Sequence, residues 1–346
     1  MIIAAAALGA VALCLLILMV RPYSRFEEEY PMTVASGSAA DGGADENSSP
    51  GPAGQNDSGT GESGPNSGTD TSSANPADGQ NAPDAATESD SVTGIPLVHA
   101  QGGTLETRIS PPEGFTRTTE EKNSLGTFLR EMGMKKDGSP VLLYNKEQKE
   151  NQNAHVAVFK LPLEREDLQQ CADSVMRVYA EYFRSIDDTS RIQFSLTDDF
   201  KASYAKWREG YRIYENGNSF EWEDAAEFDG SESNFKKFMR LVFAYAGTYS
   251  LEADSKKVKL KDIRIGDIFI QGGSPGHVVM VVDLCENADG RKAFLLAQGY
   301  MPAQQFQLLR NPAHPDDPWY YVDEVSYPFE TPEYTFEKEC LRRPTY

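Results

Sequence analysis

Residues 266–283 read GDIFIQGGSPGHVVMVVD. A short apolar run, Ile268 to Ile270, is broken by Gly272-Gly273-Ser274-Pro275-Gly276, a strong loop signal. Val278 to Val282 then forms a near-continuous β-branched run, which predicts a strand buried on both faces. Asp289-Gly290 marks a hairpin turn, and AFLLAQGY (293–300) is the returning strand. Such a pairing carries His277, at the mouth of one strand, and Gln298, near the end of its neighbour, to the same edge. A thiol nucleophile needs a base within hydrogen-bond reach and a third polar group that fixes the imidazole tautomer. His277 and Gln298 have the chemistry of base and orienter. The same residues also suit a cleft that only binds, or a structural pair satisfying local hydrogen bonds.

Working outward, the candidate nucleophile lies upstream. In EREDLQQCADSVMRVYAEYFRSI (164–186), Leu168, Cys171, Ala172, Val175, Met176, Tyr179, Tyr182 and Phe183 recur at helical spacing and form one apolar face. Asp167 followed by Gln170 resembles a capping box, with Asp167 as N-cap. Arg177 is placed to meet Asp173 and Glu181 on the opposite, polar face. Cys171 thus falls in the first turn, either as a packed core cysteine or as a thiolate favoured by the helix N-terminus. A second helix is expected within 231–254, with Phe235, Phe238, Met239, Val242, Phe243 and Ala246 on one face and Gly247 as the residue after its C-cap. PVLLYN (140–145) and HVAVFKL (155–161) read as the two strands of a hairpin. Between them and the second helix, SYAKWREGYRIYENGNSFEW (203–222) offers Trp207 and Trp222 either to a sugar- or peptide-binding cleft or to a satellite core. PEYTFEKECLRR near the end of the chain is a last helix or strand.

The charge balance bounds the partners. The 346 residues hold 53 Asp+Glu against 33 Lys+Arg, which argues against a nucleic-acid partner, since neutralising phosphate needs a basic stripe. Residues 22–95 contain 13 acidic residues and one basic residue, Arg25, so most of the asymmetry is local. Of the four cysteines, Cys14 lies in an apolar run, and Cys171, Cys285 and Cys340 show no CxxC spacing for a zinc site or a disulfide framework. His314 with Asp316 and Asp317 reads as a solvated loop, and no phosphate-loop or dinucleotide signature is present, so no metal and no cofactor is expected. Residues 1–20, MIIAAAALGAVALCLLILMV, carry no charge and are long enough to cross a bilayer core. Residues 1–21 are therefore read as an anchor or signal, with an uncleaved anchor favoured because the run lacks a basic n-region and is followed by Arg21-Pro22. Residues 22–95 read as a disordered acidic linker rich in Ser, Gly and Asp. Its low-complexity part, about 63 residues, has a root-mean-square reach of roughly 40–50 Å. An anchor with a long hydrophilic leash points to a single-pass protein of the cell membrane. Its globular domain, residues 96–346, would stand outside the cytoplasm.

The succession of a helix, AGTYSL, GDIFI, GH with a valine strand, and a return strand bearing a polar residue resembles NlpC-type papain-like cell-wall peptidases over about residues 231–300. That resemblance implies an α+β fold, mixed and papain-like, with an antiparallel sheet and packed helices and a core around 167–310. It also implies a thiol amidase or peptidase acting on cell-wall peptide, or a peptide- or glycan-binding module on the same fold. In those peptidases the nucleophile opens the helix before the AG turn. Phe235 or a neighbour stands there, so either the nucleophile comes from elsewhere, with Cys171 as the helix-opening candidate, or the site is not catalytic. The expected catalytic set is Cys171, His277 and Gln298, with Trp207, Trp222, Ser274, Tyr300 and Gln304 as the binding set. DLQQCADSVMR, FAYAGTYSL, GDIFIQGGSPGHVVMVVD, LLAQGYMPAQQ and PWYY resemble, more closely, the bacterial family called domain of unknown function 4846, which implies an envelope-associated protein.

Overall fold

A computed structural model describes residues 96–217 and 219–346. The expected anchor, linker and membrane orientation concern residues 1–95 and lie outside the described residues. Among the described residues no helix is long and apolar enough to cross a membrane.

The chain first forms α1 (Leu105–Arg108), β1 (Phe115–Arg117), α2 (Leu125–Glu131) and β2 (His155–Val158). Then come α3 (Cys171–Ser185), β3 (Gln193–Ser195), β4 (Lys201–Ser203), α4 (Tyr204–Arg208), β5 (Tyr211–Asn216) and β6 (Ser219–Asp224). α5 (Glu232–Tyr245), α6 (Thr248–Ala253), β7 (Ser255–Lys257), β8 (Ile268–Gln271), β9 (His277–Asn287) and β10 (Lys292–Gln298) follow. The last elements are β11 (Gln307–Leu309), β12 (Tyr320–Tyr321), β13 (Phe329–Glu330), β14 (Thr335–Phe336) and β15 (Leu341–Pro344). The architecture is mixed α+β. One nine-stranded sheet runs β2-β11-β10-β9-β8-β15-β7, with β1 also on β9 and β12 also on β10. Its pairings are antiparallel throughout.

β9 is the axis of this sheet. Its side chains from Val278 to Val282 are wholly buried, as a continuous β-branched run requires. Val278, Met280 and Val282 join the core made with Val175, Met176 and Phe183 of α3 and Phe235, Phe238 and Val242 of α5. Val279 and Val281 face a second core with Phe269, Phe294, Leu296, Phe329 and Phe336. The sheet is thus covered by helices on one side and by the β13–β14 hairpin on the other. The turn at Asp289-Gly290 pairs β9 with β10, and Gly290 takes φ +80°, a region glycine enters without a Cβ penalty.

Several local expectations change. β2 does not pair with 140–145, which makes only isolated bridges (Leu142 with Gln148, Leu143 with Gln304); β2 pairs with β11 instead. α3 starts at Cys171 with Gln170 as N-cap, because Asp167 is already engaged: its Oδ1 accepts from the Ala303 N–H at 2.6 Å. Asp173 supplies the cap, accepting the Gln170 N–H at 2.9 Å. Arg177 is wholly buried rather than solvated, since α3 is enclosed on its second face too. It binds Glu181 at 2.7 Å and Glu164 at 3.7 Å, not Asp173, and lies over the Phe235 ring. Gly247 is extended and serves as N-cap of α6. The sheet is not confined to 167–310, because β1, β2, β12 and β15 come from outside that range. The stretch near the end of the chain forms β14 and β15, and Cys171, Cys285 and Cys340 are free and buried.

Candidate active site

His277 is the first residue of β9 and Gln298 the last of β10, so the hairpin between them sets their meeting. His277 Nε2 lies 2.7 Å from Gln298 Oε1, with His277 2 % exposed and Gln298 wholly buried. The amide's Nε2 donates to Glu333 Oε2 at 2.7 Å. A carboxylate only accepts, so the amide presents its oxygen to the histidine, and the proton on the ring sits at Nε2. In the neutral ring Nδ1 is then the bare nitrogen. Burial pushes the His277 pKa down to about 4, opposed by the Gln298 hydrogen bond and reinforced by the Lys149 charge.

The chain of contacts continues. Glu333 is ion-paired with buried Lys149, which also donates to Gln307 Oε1 at 3.3 Å. Tyr300 places its ring 4.7 Å from the imidazole, and its hydroxyl donates to the Glu333 carbonyl at 3.2 Å. Tyr334 and Phe336 flank the imidazole at 5.0 and 6.0 Å. The ring therefore packs with the core on the hairpin side of the sheet.

Cys171 reaches the same strand end from the helix side. Cys171 is the first residue of α3, and the backbone N–H groups of Cys171, Ala172 and Val278, the last next to His277, act to lower its pKa. Those donors favour a thiolate, but burial and the neighbouring Asp173 outweigh them and push the thiol up to about 12. Cys171 is 8 % exposed. The start of α3 also lies against the end of β10: a Cβ on Gly299 would stand 2.2 Å from Ser174 Oγ and 2.9 Å from the Gln170 carbonyl oxygen. The structure brings His277 and Gln298 together, while Cys171 lies in the core on the helix side of the same strand end, with no hydrogen bond from its thiol to the imidazole among the described residues.

The binding set is only partly gathered there. Tyr300 touches the imidazole, and Ser274 is exposed in the loop preceding His277. Gln304 is buried, bridges to Leu143, and leaves its Nε2 without a partner among the described residues. Trp207 is not a cleft residue. It is 1 % exposed, packs edge-on to Phe238, and satisfies its indole N–H on Asn234 Oδ1 at 2.8 Å. Trp222, in β6, packs against Phe200 and Lys206 at the margin of the main core rather than in a satellite core. Sequence reading missed Glu333 and Lys149, because no spacing links positions 149, 298 and 333, and Lys149 sits in a polar stretch that looks solvated.

A family model described as Domain of unknown function (4846) matches residues 105–343. The chain belongs to that family. The 4846 domain therefore takes in β9, β10, the start of α3 and the hairpin bearing Glu333, so every residue of the site falls inside it. No curated protein and no solved structure matches the chain. No group of three or more His, Cys, Asp or Glu side chains in the described part of the 4846 domain is arranged to hold a metal ion.

Proposed function

We propose that this domain is a papain-like thiol amidase or peptidase, with Cys171 as nucleophile, His277 as general base and Gln298 as orienter. It acts on cell-wall peptide from an extracytoplasmic position at the membrane, to which the apolar run 1–20 and the acidic linker tether it. The observation that carries the reading is the state of His277: Nε2–H is committed to Gln298, leaving a bare Nδ1 beside the strand end that Cys171 approaches. A base held in one tautomer by a buried amide is what proton abstraction from a thiol needs.

Burial keeps both groups neutral at rest, the thiol at about 12 and the imidazole at about 4, so the proton moves during attack rather than before it. Cys171 sulfur bonds to the carbonyl carbon of the peptide as its proton passes to Nδ1. The tetrahedral oxyanion is held by N–H groups at the start of α3. The carbon–nitrogen bond then breaks, the leaving amine takes the proton from His277, and water hydrolyses the thioester with His277 again as base. Incubation of wild type, Cys171→Ser and His277→Ala with a panel of stem-type peptides tests this, followed by new-amine release. The expected result is release by wild type, abolished in Cys171→Ser and reduced at least about 10³-fold in His277→Ala. Equal release by wild type and Cys171→Ser ends the reading.

One observation favours a second reading, a binding module on the same fold. The imidazole packs among Tyr300, Tyr334 and Phe336, on the hairpin side, whereas Cys171 belongs to the core on the helix side. Peptide or glycan binding that survives in Cys171→Ser without any turnover in wild type distinguishes it.

A further inference from the structure

The hydrogen-bond chain does not stop at the orienter. A glutamine side chain presents an acceptor on one arm and donors on the other, and half a turn about its last bond exchanges them. If Gln298 turned over, its Nε2 would face His277 Nε2, which would have to accept. The proton would then sit on Nδ1, and the ring would have no bare nitrogen on its free side. Gln298 cannot choose its orientation alone; Glu333 chooses for it by accepting from Nε2 at 2.7 Å.

Glu333 is itself well fixed. Its carboxylate pairs with Lys149, whose side chain is 6 % exposed, and accepts from Asn151 Nδ2 at 3.3 Å. Its carbonyl accepts from the Tyr300 hydroxyl at 3.2 Å. It lies between β13 and β14, in the same hairpin that lays Tyr334 and Phe336 against the imidazole. One hairpin therefore delivers both the ring cover and the acceptor that orders the amide. We propose that Glu333 is a positioning residue: acting through Gln298 and held by Lys149, it determines which nitrogen of His277 is bare. The catalytic meaning of this role rests on the thiol amidase reading; the tautomer itself does not.

Two-bond proton–nitrogen spectra of the full chain labelled with ¹⁵N-histidine, at neutral pH, read the tautomer directly, with His277 assigned by loss of its signals in His277→Asn. Wild type shows protonated Nε2 and bare Nδ1. Glu333→Ala shows the other tautomer or a mixture. Glu333→Gln, which keeps an acceptor for Gln298 Nε2, retains the wild-type pattern. A single unchanged Nε2–H tautomer in Glu333→Ala overturns the proposal. If that variant fails to fold, Lys149→Met/Glu333→Leu removes both members of the buried pair together and is read in the same way. In turnover, Glu333→Ala lowers kcat/KM about 10–100-fold with KM unchanged, the usual scale for partners one bond removed from a reacting group. A shifted tautomer in a protein that cleaves no peptide leaves the positioning role standing and removes the amidase reading. Cleavage by wild type with an unshifted tautomer in Glu333→Ala removes the positioning role alone.

Discussion

The His277 imidazole is held neutral down to about pH 4 by burial among Tyr300, Tyr334 and Phe336, with the Lys149 charge acting in the same direction. Its ordinary pKa is about 6.5, so between pH 6.5 and 4 the unfolded chain binds a proton here that the folded chain refuses. Stability then rises with pH through this window and is lost as pH falls toward 4, by about 3 kcal/mol for this group. Urea titrations of wild type and His277→Gln across that range check it: the wild-type advantage shrinks on acidification, and parallel curves refute it. Burial likewise raises the thiols, Cys171 to about 12 and Cys340 to about 11. Iodoacetamide at pH 8 therefore modifies Cys171, Cys285 and Cys340 slowly in the folded chain, by peptide mass, and these thiols react promptly once urea unfolds it. Fast modification of Cys171 in the folded state would mean that the helix-start N–H groups prevail over burial. The meeting of His277 with Gln298 was legible because a turn signal lies between two readable strands, so their ends had to coincide. Glu333 and Lys149 were not legible: Lys149 and Glu333 are 184 positions apart, and only the folded sheet brings them together.

At the scale of elements, the start of α3 depends on a close approach to β10. Gly299 packs its backbone against Ser174 and Gln170, with no room for a methyl group. Gly299→Ala must push the helix start away from the strand end, and overpacking of this kind costs about 1–3 kcal/mol. On the thiol amidase reading the displacement also moves Cys171 relative to His277, and misplacement of about 1 Å costs about 10²-fold in rate. A lowered urea midpoint together with a disproportionate loss of peptide cleavage is the expected pair of results; an unchanged midpoint shows that the approach relaxes freely. The apolar spacing of α3 was readable, but its first residue was not. Asp167 has the chemistry of an N-cap and is drawn off by the backbone of Ala303, a partner 136 residues away. β2 shows the same limit. Its apolar character is local, whereas its pairing with β11 depends on which edge remains open after β9 and β10 have paired.

For the whole domain, Asp283 in β9 is a junction. It is wholly buried and binds Arg117 of β1 at 2.7 Å and Arg130 of α2 at 2.8 Å, which also reaches the Thr118 and Leu284 carbonyls. One carboxylate thus reinforces the β1–β9 pairing that joins the N-terminal part of the domain to the central strand. Asp283→Ala leaves two guanidinium groups near the interior without their anion, and breaking a buried pair in this way costs about 3–5 kcal/mol. Denaturant unfolding of that variant checks it, and a loss below about 1 kcal/mol would show that water reaches the arginines. The antiparallel, mixed character of the domain could be read from 266–300, but the participation of its outer strands could not, since β1, β12 and β15 are each four residues or fewer.

β15 lies between β8 and β7 in the sheet although both precede it in the chain by more than 70 residues. During synthesis the ribosome therefore releases β7 and β8 long before the strand that joins them exists. The nascent domain carries two unsatisfied sheet edges until Leu341–Pro344 emerges, a period in which such edges invite pairing with other chains. His277 and Gln298 share this interval, present as a pair but still waiting for Glu333. A ribosome stalled before position 333 would display a domain in which His277 and Gln298 lack the Glu333 acceptor.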